Sequence, residues 1–290
     1  MTIAQGTTYT HRNNLYLLND GVIFTCSQFH GEACSTLTAT IVVARSDWPI
    51  KVSAAGSMYR ASSLAIRPGV KHATSFGVGR HVYIRLTPSH PLFRRFCAIR
   101  APGVLPLDCN LDGMFAPELD SAYWGTLQRH DAERLLRGIA AGIAGELPAI
   151  RVADARIDRA KRMLWERPDC TAEELSSHFG LSIYRMSHLF KSATGLPIKT
   201  YRRWQRMHAA TAQLSSGRSL TEIATAAGYT DLSHFGREFR ELAGMSPRSL
   251  FLSDQIRVFH WRHKQIAPAG GRAESTSQAR PKGAAQVFAP

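Results

Sequence analysis

The pattern of apolar and polar residues changes once along the chain, from short strand-like runs to longer helical ones. The segments ATIVVAR (39–45) and HVYIRL (81–86) are rich in β-branched and aromatic residues, as strands are. Turn signals separate such runs, at residues 47–49, 55–57, 67–69 and 76–79. Strands at intervals of about 8–12 residues predict a small antiparallel barrel or sandwich within residues 20–100.

After Pro106 the apolar residues recur at helical spacing, and Pro148 ends this pattern. The apolar positions are Leu119, Tyr123, Leu127, Leu135, Leu136, Ile139 and Ile143. Helices between two domains pack either against their own domain or against a second copy of themselves. We expect these helices to form a homodimer interface, and intramolecular packing is the alternative.

An internal repeat with an offset of 48–49 residues occupies residues 165–255. Each copy begins with a hydroxyl residue that is followed three positions later by a glutamate, which fits a capping box. The pairs are Thr171 with Glu174 and Ser219 with Glu222. The repeat therefore predicts two short helices with the same kind of N-terminal cap.

A glycine and a second cap follow each of these short helices. Gly180 and Gly228 stand where the helix must end, because glycine adopts the left-handed conformation easily. Ser182 and Thr230-Asp231 can then cap a second helix. The second helices are expected to bury Met186, Leu189 and Phe190 in the first copy, and Phe235, Phe239 and Leu242 in the second. This is the helix-turn-helix layout, whose second helix enters the major groove of DNA.

A helical stretch from residue 198 to residue 214 joins the two units, with Tyr201, Trp204 and Met207 at helical spacing. It would be about 25 Å long. That length suits two recognition helices in successive major grooves about 34 Å apart. Trp165 and Trp204 are expected in the core of this region.

The second copy contains the run Ile223-Ala224, Ala227-Gly228-Tyr229, Ser233-His234-Phe235, Phe239-Arg240 and Gly244-Met245-Ser246-Pro247. Because of this run, residues 155–253 resemble the DNA-binding domain of the AraC/XylS family of bacterial transcription regulators. The family continues from that proline to a Tyr-Arg pair, whereas residues 248–251 read Arg-Ser-Leu-Phe here. Residues 66–72 and 86–89 resemble, more weakly, the cupin-like effector domain common in the family.

The resemblance implies an α+β protein with four segments. Residues 1–105 would form a cupin-like β-barrel that acts as the effector domain, and residues 106–150 would form connecting and dimerisation helices. Residues 151–255 would form an all-α domain of two helix-turn-helix motifs joined by a helix. Residues 256–290 are basic, and their content of Ala, Gly, Pro and Ser predicts a disordered tail.

The resemblance also implies which side chains face DNA. The base contacts would come from Tyr184, Ser187 and His188 on the first recognition helix and from Ser233, His234 and Arg237 on the second. Phosphates would be contacted by Arg185, Lys191, Lys199, Arg202, Arg203 and Arg240, together with Arg206. Arg237 can donate two hydrogen bonds to O6 and N7 of guanine. For each base-contacting residue, the alternative is a solvated or phosphate-contacting side chain.

The candidate effector-binding side chains of the N-terminal region are Arg60, His72, His81, Tyr83 and Arg85. Tyr83 and Arg85 lie two positions apart and therefore share one face of a strand. If that face is inward, the arginine needs an anionic partner such as a carboxylate or phosphate ligand. We expect the outward orientation. The region lacks the His-x-His cluster of a metal-dependent cupin, so no metal or cofactor is expected.

Charge and cysteine content add to this interpretation. The chain has 290 residues, 36 Lys and Arg against 22 Asp and Glu, and a formal net charge of +14. This balance indicates an acidic partner, and the tandem repeat identifies it as double-stranded DNA. Five scattered cysteines without a CxxC pair argue against a disulfide framework and indicate a reducing cytoplasm. The sequence contains no uninterrupted run of about 18 apolar residues, which is the length that a membrane-spanning helix needs.

Together these features predict a cytoplasmic, non-enzymatic transcription regulator. It would bind specific sequences of double-stranded DNA and activate transcription with RNA polymerase, under the control of an effector at the N-terminal domain. The alternative is a regulator without a small ligand, whose N-terminal domain binds a partner protein. A DNA-repair methyl acceptor on this scaffold would need a four-Cys zinc site or a Pro-Cys-His motif, and Pro-Cys occurs nowhere in the sequence.

Overall fold

The computed structural model describes residues 13–27, 29–30, 35–45, 49–76, 79–150, 154–214, 216–244, 246–248 and 256–260. The strands are β1 (Asn13–Leu17), β2 (Gly21–Cys26), β3 (Phe29–His30), β4 (Ala39–Arg45), β5 (Ile50–Ala54), β6 (Ser57–Ala61), β7 (Ser63–Ile66), β8 (His72–Phe76), β9 (Arg80–Leu86), β10 (Val104–Pro106) and β11 (Ile256–His260). The helices are α1 (Phe93–Cys97), α2 (Leu111–Met114), α3 (Ala116–Trp124), α4 (Arg129–Ile143), α5 (Arg156–Glu166), α6 (Ala172–His178), α7 (Ile183–Thr194), α8 (Ile198–Ala212), α9 (Leu220–Ala226) and α10 (Leu232–Ala243).

The strands form two sheets, and the predicted α+β class is confirmed. The larger sheet has seven strands in the order β10-β7-β4-β9-β2-β1-β11, and the smaller has four in the order β3-β8-β5-β6. Neighbouring strands are antiparallel except for the pair β1 and β11, which is parallel. The arrangement agrees with the antiparallel sandwich that the spacing of the turns predicts.

The seven-stranded sheet is covered on both faces, which explains the imperfect alternation of its strands. In β4, Ile41 and Val43 belong to the core shared with the helices. Their neighbours Val42 and Ala44 belong to a second core, which includes Ile50 of the smaller sheet. Because both faces of β4 exclude water, its sequence reads as one continuous apolar run instead of an alternating one.

The helices α3 and α4 lie on the first of these faces. Six of the seven apolar residues that the sequence spaced as helical lie on them, Leu127 lies between them, and all seven are buried within the single chain. Leu136 packs closely enough that a Cβ on Gly21, at the start of β2, would stand 2.8 Å from its Cδ2 atom. These apolar residues are therefore buried by packing within one chain, and their burial does not support the expected dimer interface.

None of the described helices is long and apolar enough to cross a membrane.

The second face of the large sheet has two covers. The smaller sheet covers its middle, around Val42 and Tyr83. At the other end, Leu15 of β1 shares a core with Ile223 and Phe235 of the helical region. The helix pair α9–α10 thus packs on the sheet of the N-terminal region, beside the smaller sheet, and extends the same layer.

Strand β11 corrects the expected tail, because residues 256–260 are an ordered strand of the N-terminal sheet. They pair in parallel with β1, from Asn13 opposite Ile256 to Leu17 opposite His260. The rings of Tyr16 and Phe259 stack with centroids 4.5 Å apart, and the Arg257 guanidinium lies 4.7 Å from the Phe259 centroid. The prediction of disorder is wrong for these five residues, and residues 267–290 lie outside the described part of the chain.

We expect the free energy of unfolding of a chain that ends at residue 255 to be about 2–4 kcal/mol lower than that of the full chain. The reason is that the apolar contacts of β11 with Tyr16 and with the α9–α10 core are lost. The measurement is urea unfolding followed by circular dichroism. A chain that ends at residue 266 keeps β11 and is the matched control, with the stability of the full chain. Equal stability of the two truncated chains would contradict the structural role of β11.

Candidate nucleic-acid interface

The first helix-turn-helix unit is built by local capping, as predicted. The backbone N–H of Glu174 donates to Thr171 Oγ1 over 3.1 Å, and the N–H of Thr171 donates to Glu174 Oε2 over 2.8 Å. Gly180 follows α6 with a φ of +62°, in the left-handed region that glycine tolerates. Ser182 then caps α7 by accepting a hydrogen bond from the N–H of Arg185 over 3.2 Å.

The second unit repeats this construction. Ser219 and Glu222 form a reciprocal capping box at the start of α9. Gly228 has a φ of +81°. Of the two predicted caps, Asp231 is the residue used: its Oδ1 accepts from the N–H of His234 over 2.7 Å. This hydrogen bond holds the pKa of Asp231 below its ordinary value, so the carboxylate stays charged at the positive end of α10.

The cores of the two units hold most of the residues that the sequence placed there. Met186 and Phe190 of α7 are fully buried, and so is Phe235 of α10. Phe239 and Leu242 are also buried, whereas Leu189 is half-buried. Trp204 of α8 is buried as expected, but the expectation for Trp165 is wrong, because 42% of its surface is exposed.

The exposed face of α7 carries two of the three predicted base-contacting residues. Tyr184 is 82% exposed and lies one residue after the start of the helix. His188 is exposed and Ser187 is half-buried. Ile183, 48% exposed, extends the same end of the helix with apolar surface that can contact a thymine methyl group.

On α10 the three predicted base-contacting residues differ in how strongly neighbouring side chains hold them. Ser233 and Arg237 are exposed. The His234 ring is held by neighbours: its Nδ1 lies 3.1 Å from Thr230 Oγ1, and its Nε2 lies 3.5 Å from Glu238 Oε2. A base contact by His234 would have to compete with these partners, whereas Arg237 can turn toward DNA without breaking an ion pair among the described residues.

A buried carboxylate joins α10 to α8, and the sequence interpretation missed it. Glu238 is 4% exposed and accepts from Arg203 Nε over 2.9 Å and from Arg206 Nη2 over 2.6 Å. Glu241, one turn further, accepts from Arg203 Nη2 over 2.5 Å. The signal was present as two arginines and two glutamates, each pair spaced by three residues on helices that had to pack together.

This ion-pair cluster changes the role of Arg203 and Arg206. The Arg206 guanidinium also lies 4.5 Å from the ring centroid of Tyr229. Burial raises the pKa of that tyrosine to about 12, so the ring carries no charge at neutral pH. Arg203 was expected to contact phosphate, but both of its donor edges are occupied by carboxylates. Its observed contacts join α10 to the helix that connects the two units.

The remaining predicted phosphate contacts lie at the surface. Arg185, Lys191, Lys199 and Arg240 are exposed. Arg202 donates to the backbone carbonyl of Pro168 from Nε over 3.2 Å and from Nη2 over 2.7 Å. Its guanidinium therefore ties α8 to the turn after α5 and has fewer donors left for a phosphate.

The predicted effector-binding residues lie in different environments. Arg60 is exposed, and its strand β6 is an edge of the smaller sheet. Tyr83 is 5% exposed and packed between the sheets, so the expected outward orientation is wrong for this residue. His72 is buried and hydrogen-bonded to the carbonyl of Val70 over 2.9 Å. Arg85 is half-buried at the junction with α10, where a Cβ on Gly244 would stand 3.7 Å from its Nη2.

Buried histidines of this region are neutral groups of the core. His81 is fully buried, and desolvation lowers its pKa to about 4. The same effect lowers the pKa of His72, with a further contribution from the positive charge of Arg85. Within the described residues, no three side chains of His, Cys, Asp or Glu are grouped so that they could hold a metal ion.

Comparison with known proteins agrees with this geometry. Residues 175–252 match a family model described as a helix-turn-helix domain. Over 93 residues the chain is 29% identical to the bifunctional transcriptional activator/DNA repair enzyme Ada of Escherichia coli strain K12, a match that covers 32% of this chain and 26% of Ada. The fold is similar to that of the apo form of a ToxT variant from Vibrio cholerae strain SCE256, with a TM-score of 0.51 and 10% identity over 80% of this chain and 97% of that one. The predicted helix-turn-helix domain is confirmed.

We expect Glu238→Gln to lower the free energy of unfolding by about 1–3 kcal/mol, because two arginines lose their shared carboxylate. The effect stays below that of a fully buried pair, since Arg203 and Arg206 reach solvent. Glu241→Gln is the matched control on the same helix; its carboxylate is exposed, and the expected loss is within about 0.5 kcal/mol. Both are measured by urea unfolding, and a loss of equal size in both variants would refute the distinct role of Glu238.

Proposed function

We propose that this chain is a transcription regulator of the AraC/XylS type that binds specific sequences of double-stranded DNA with both helix-turn-helix units. The proposal is carried by one observation: two units that begin with the same kind of capping box each present a helix whose polar and cationic side chains are exposed. The relative Ada is named as a transcriptional activator. We infer the same direction of control here, with RNA polymerase as a partner and the cytoplasm as the location.

Sequence discrimination would come from a small set of side chains. Tyr184 and His188 on α7 and Ser233 and Arg237 on α10 are the proposed base contacts. Arg237 carries the largest share, since its guanidinium can donate two parallel hydrogen bonds to a guanine. Arg185, Lys191, Lys199 and Arg240 would add phosphate contacts, which contribute affinity without sequence information.

The DNA-repair activity in the name of Ada is not part of this proposal. The match covers 26% of Ada, which leaves most of that protein without a counterpart here. The sequence of this chain contains no Pro-Cys pair that could begin a methyl-accepting motif.

We further propose that the N-terminal region regulates the DNA-binding units in response to an effector. Support comes from the packing of α9 and α10 on strands β1, β2 and β11, which places the second unit in direct contact with the N-terminal sheet. The second candidate is a regulator whose N-terminal region binds a partner protein. A small molecule that binds the native chain must raise its melting temperature, so a metabolite panel separates the two.

We expect Arg237→Ala to cost about 1–3 kcal/mol of binding to the preferred site and to relax selectivity at one base pair. The preferred site is first selected from a pool of random duplexes with the full chain, and both proteins are then titrated against all single-base variants.

Lys191→Ala is the matched control, because an exposed lysine on the other recognition helix should weaken all sequences alike and reduce the salt slope by about 1. Unchanged preference of Arg237→Ala at every position would remove Arg237 from the set of base contacts.

A further inference from the structure

A pocket of about 360 Å³ lies where the N-terminal region meets the helix-turn-helix domain. One wall belongs to the N-terminal region: Asp20 in the turn between β1 and β2, and Glu133 and Arg137 of α4. The opposite wall belongs to the DNA-binding region: Trp165 at the end of α5, and Trp204 and His208 of α8. Its volume is at the lower end of the range for small-molecule sites.

The DNA-binding wall is aromatic and held in place. The Trp165 ring meets the Trp204 and His208 rings edge to face, with centroids 5.6 and 5.4 Å apart. The Tyr201 ring also packs on this cluster, with its centroid 5.2 Å from that of Trp204. His208 Nε2 lies 3.3 Å from the backbone oxygen of Asn19, across the boundary between the regions. The large exposed surface of Trp165 is therefore a fixed flat face beside the pocket.

The N-terminal wall carries both signs of charge. Glu133 accepts from Arg129 Nε over 3.0 Å, so its charge is already compensated. Arg137, one turn further along α4, is exposed and forms no ion pair with any described residue. The Asp20 carboxylate likewise has no ion-pair partner within the described part of the chain. The pocket thus offers one cation and one anion whose charges are available to a ligand.

We propose that this pocket binds a zwitterionic α-amino acid with a flat, apolar side chain. The Arg137 guanidinium would receive the carboxylate through two parallel hydrogen bonds. Asp20 would receive the ammonium group, and the flat side chain would lie against Trp165. A ligand with both charges can pair with both side chains, whereas a simple cation or anion would pair with one and be repelled by the other.

A ligand in this position contacts both regions of the chain. Because α8 joins the two helix-turn-helix units, occupancy would bias how the DNA-binding region sits on the N-terminal sheet. This regulatory consequence rests on the proposed function, but binding itself does not. The experiment therefore measures binding with the full chain in the absence of DNA, and a failure of DNA binding would leave its outcome unaffected.

The probes are L-tryptophan and L-phenylalanine, with tryptamine and 3-indolepropionate as analogues that lack the carboxylate and the ammonium group. Isothermal titration calorimetry is expected to show binding of at least one amino acid and a loss of about 10- to 100-fold for each analogue, because one charged hydrogen-bonding group is missing. Binding of either analogue as tight as that of the amino acid would overturn the zwitterion assignment. Absence of binding by both amino acids at millimolar concentration would overturn the proposal.

The variant Arg137→Ala tests whether the amino acid binds in this pocket. The residue is exposed, so the variant is expected to fold with an unchanged circular dichroism spectrum and to bind about 10- to 100-fold more weakly. Arg134→Ala is the matched control, since Arg134 is an exposed arginine of the same helix that does not line the pocket. Its affinity should stay within about twofold of the full chain. Equal affinities of the two variants would show that the amino acid binds elsewhere.

Discussion

The need to bury both faces of the seven-stranded sheet determines the arrangement of this molecule. One face is closed by α3 and α4 with residues such as Leu135 and Ile139. The other is larger than the smaller sheet can cover, and the second helix-turn-helix unit closes the remainder around Leu15. Each apolar side chain removed from water in these layers contributes about 1.5–3 kcal/mol. The position of a DNA-binding unit is therefore set by the same burial that stabilises the N-terminal region.

The sequence predicted those parts of the fold that depend on neighbouring residues. The capping boxes at Thr171 and Ser219 and the glycines at 180 and 228 each act within a few positions, so their pattern is sufficient. Tyr83 was assigned to the wrong face, because alternation identifies which residues share a face but not which face is inside. The composition of residues 256–290 predicted a disordered tail and gave no sign of the strand at residues 256–260. The strand that pairs with it, β1, lies more than 240 positions away in the sequence.

Long-range electrostatics accounts for the other difference between expectation and structure. A count of cations on the helices treats Arg203, Arg206 and Lys191 as equivalent. Glu238 distinguishes them: the two arginines compensate a carboxylate that would otherwise be buried without a partner, whereas Lys191 remains at the surface. Which cations are available to DNA is therefore decided by acidic residues on a packed neighbour, and helical periodicity alone does not identify them.

The place of β11 in the chain has a consequence for synthesis. The strand that completes one edge of the N-terminal sheet is made after both helix-turn-helix units, so that edge cannot close until both units have left the ribosome. Until then β1 has one unpaired edge, and the growing protein exposes a strand that other chains could join. The capped helix pairs of the tandem units depend on contacts close in sequence and can form without waiting for β11. The sheet that contains β1 is thus completed only after the helices of both units have been made.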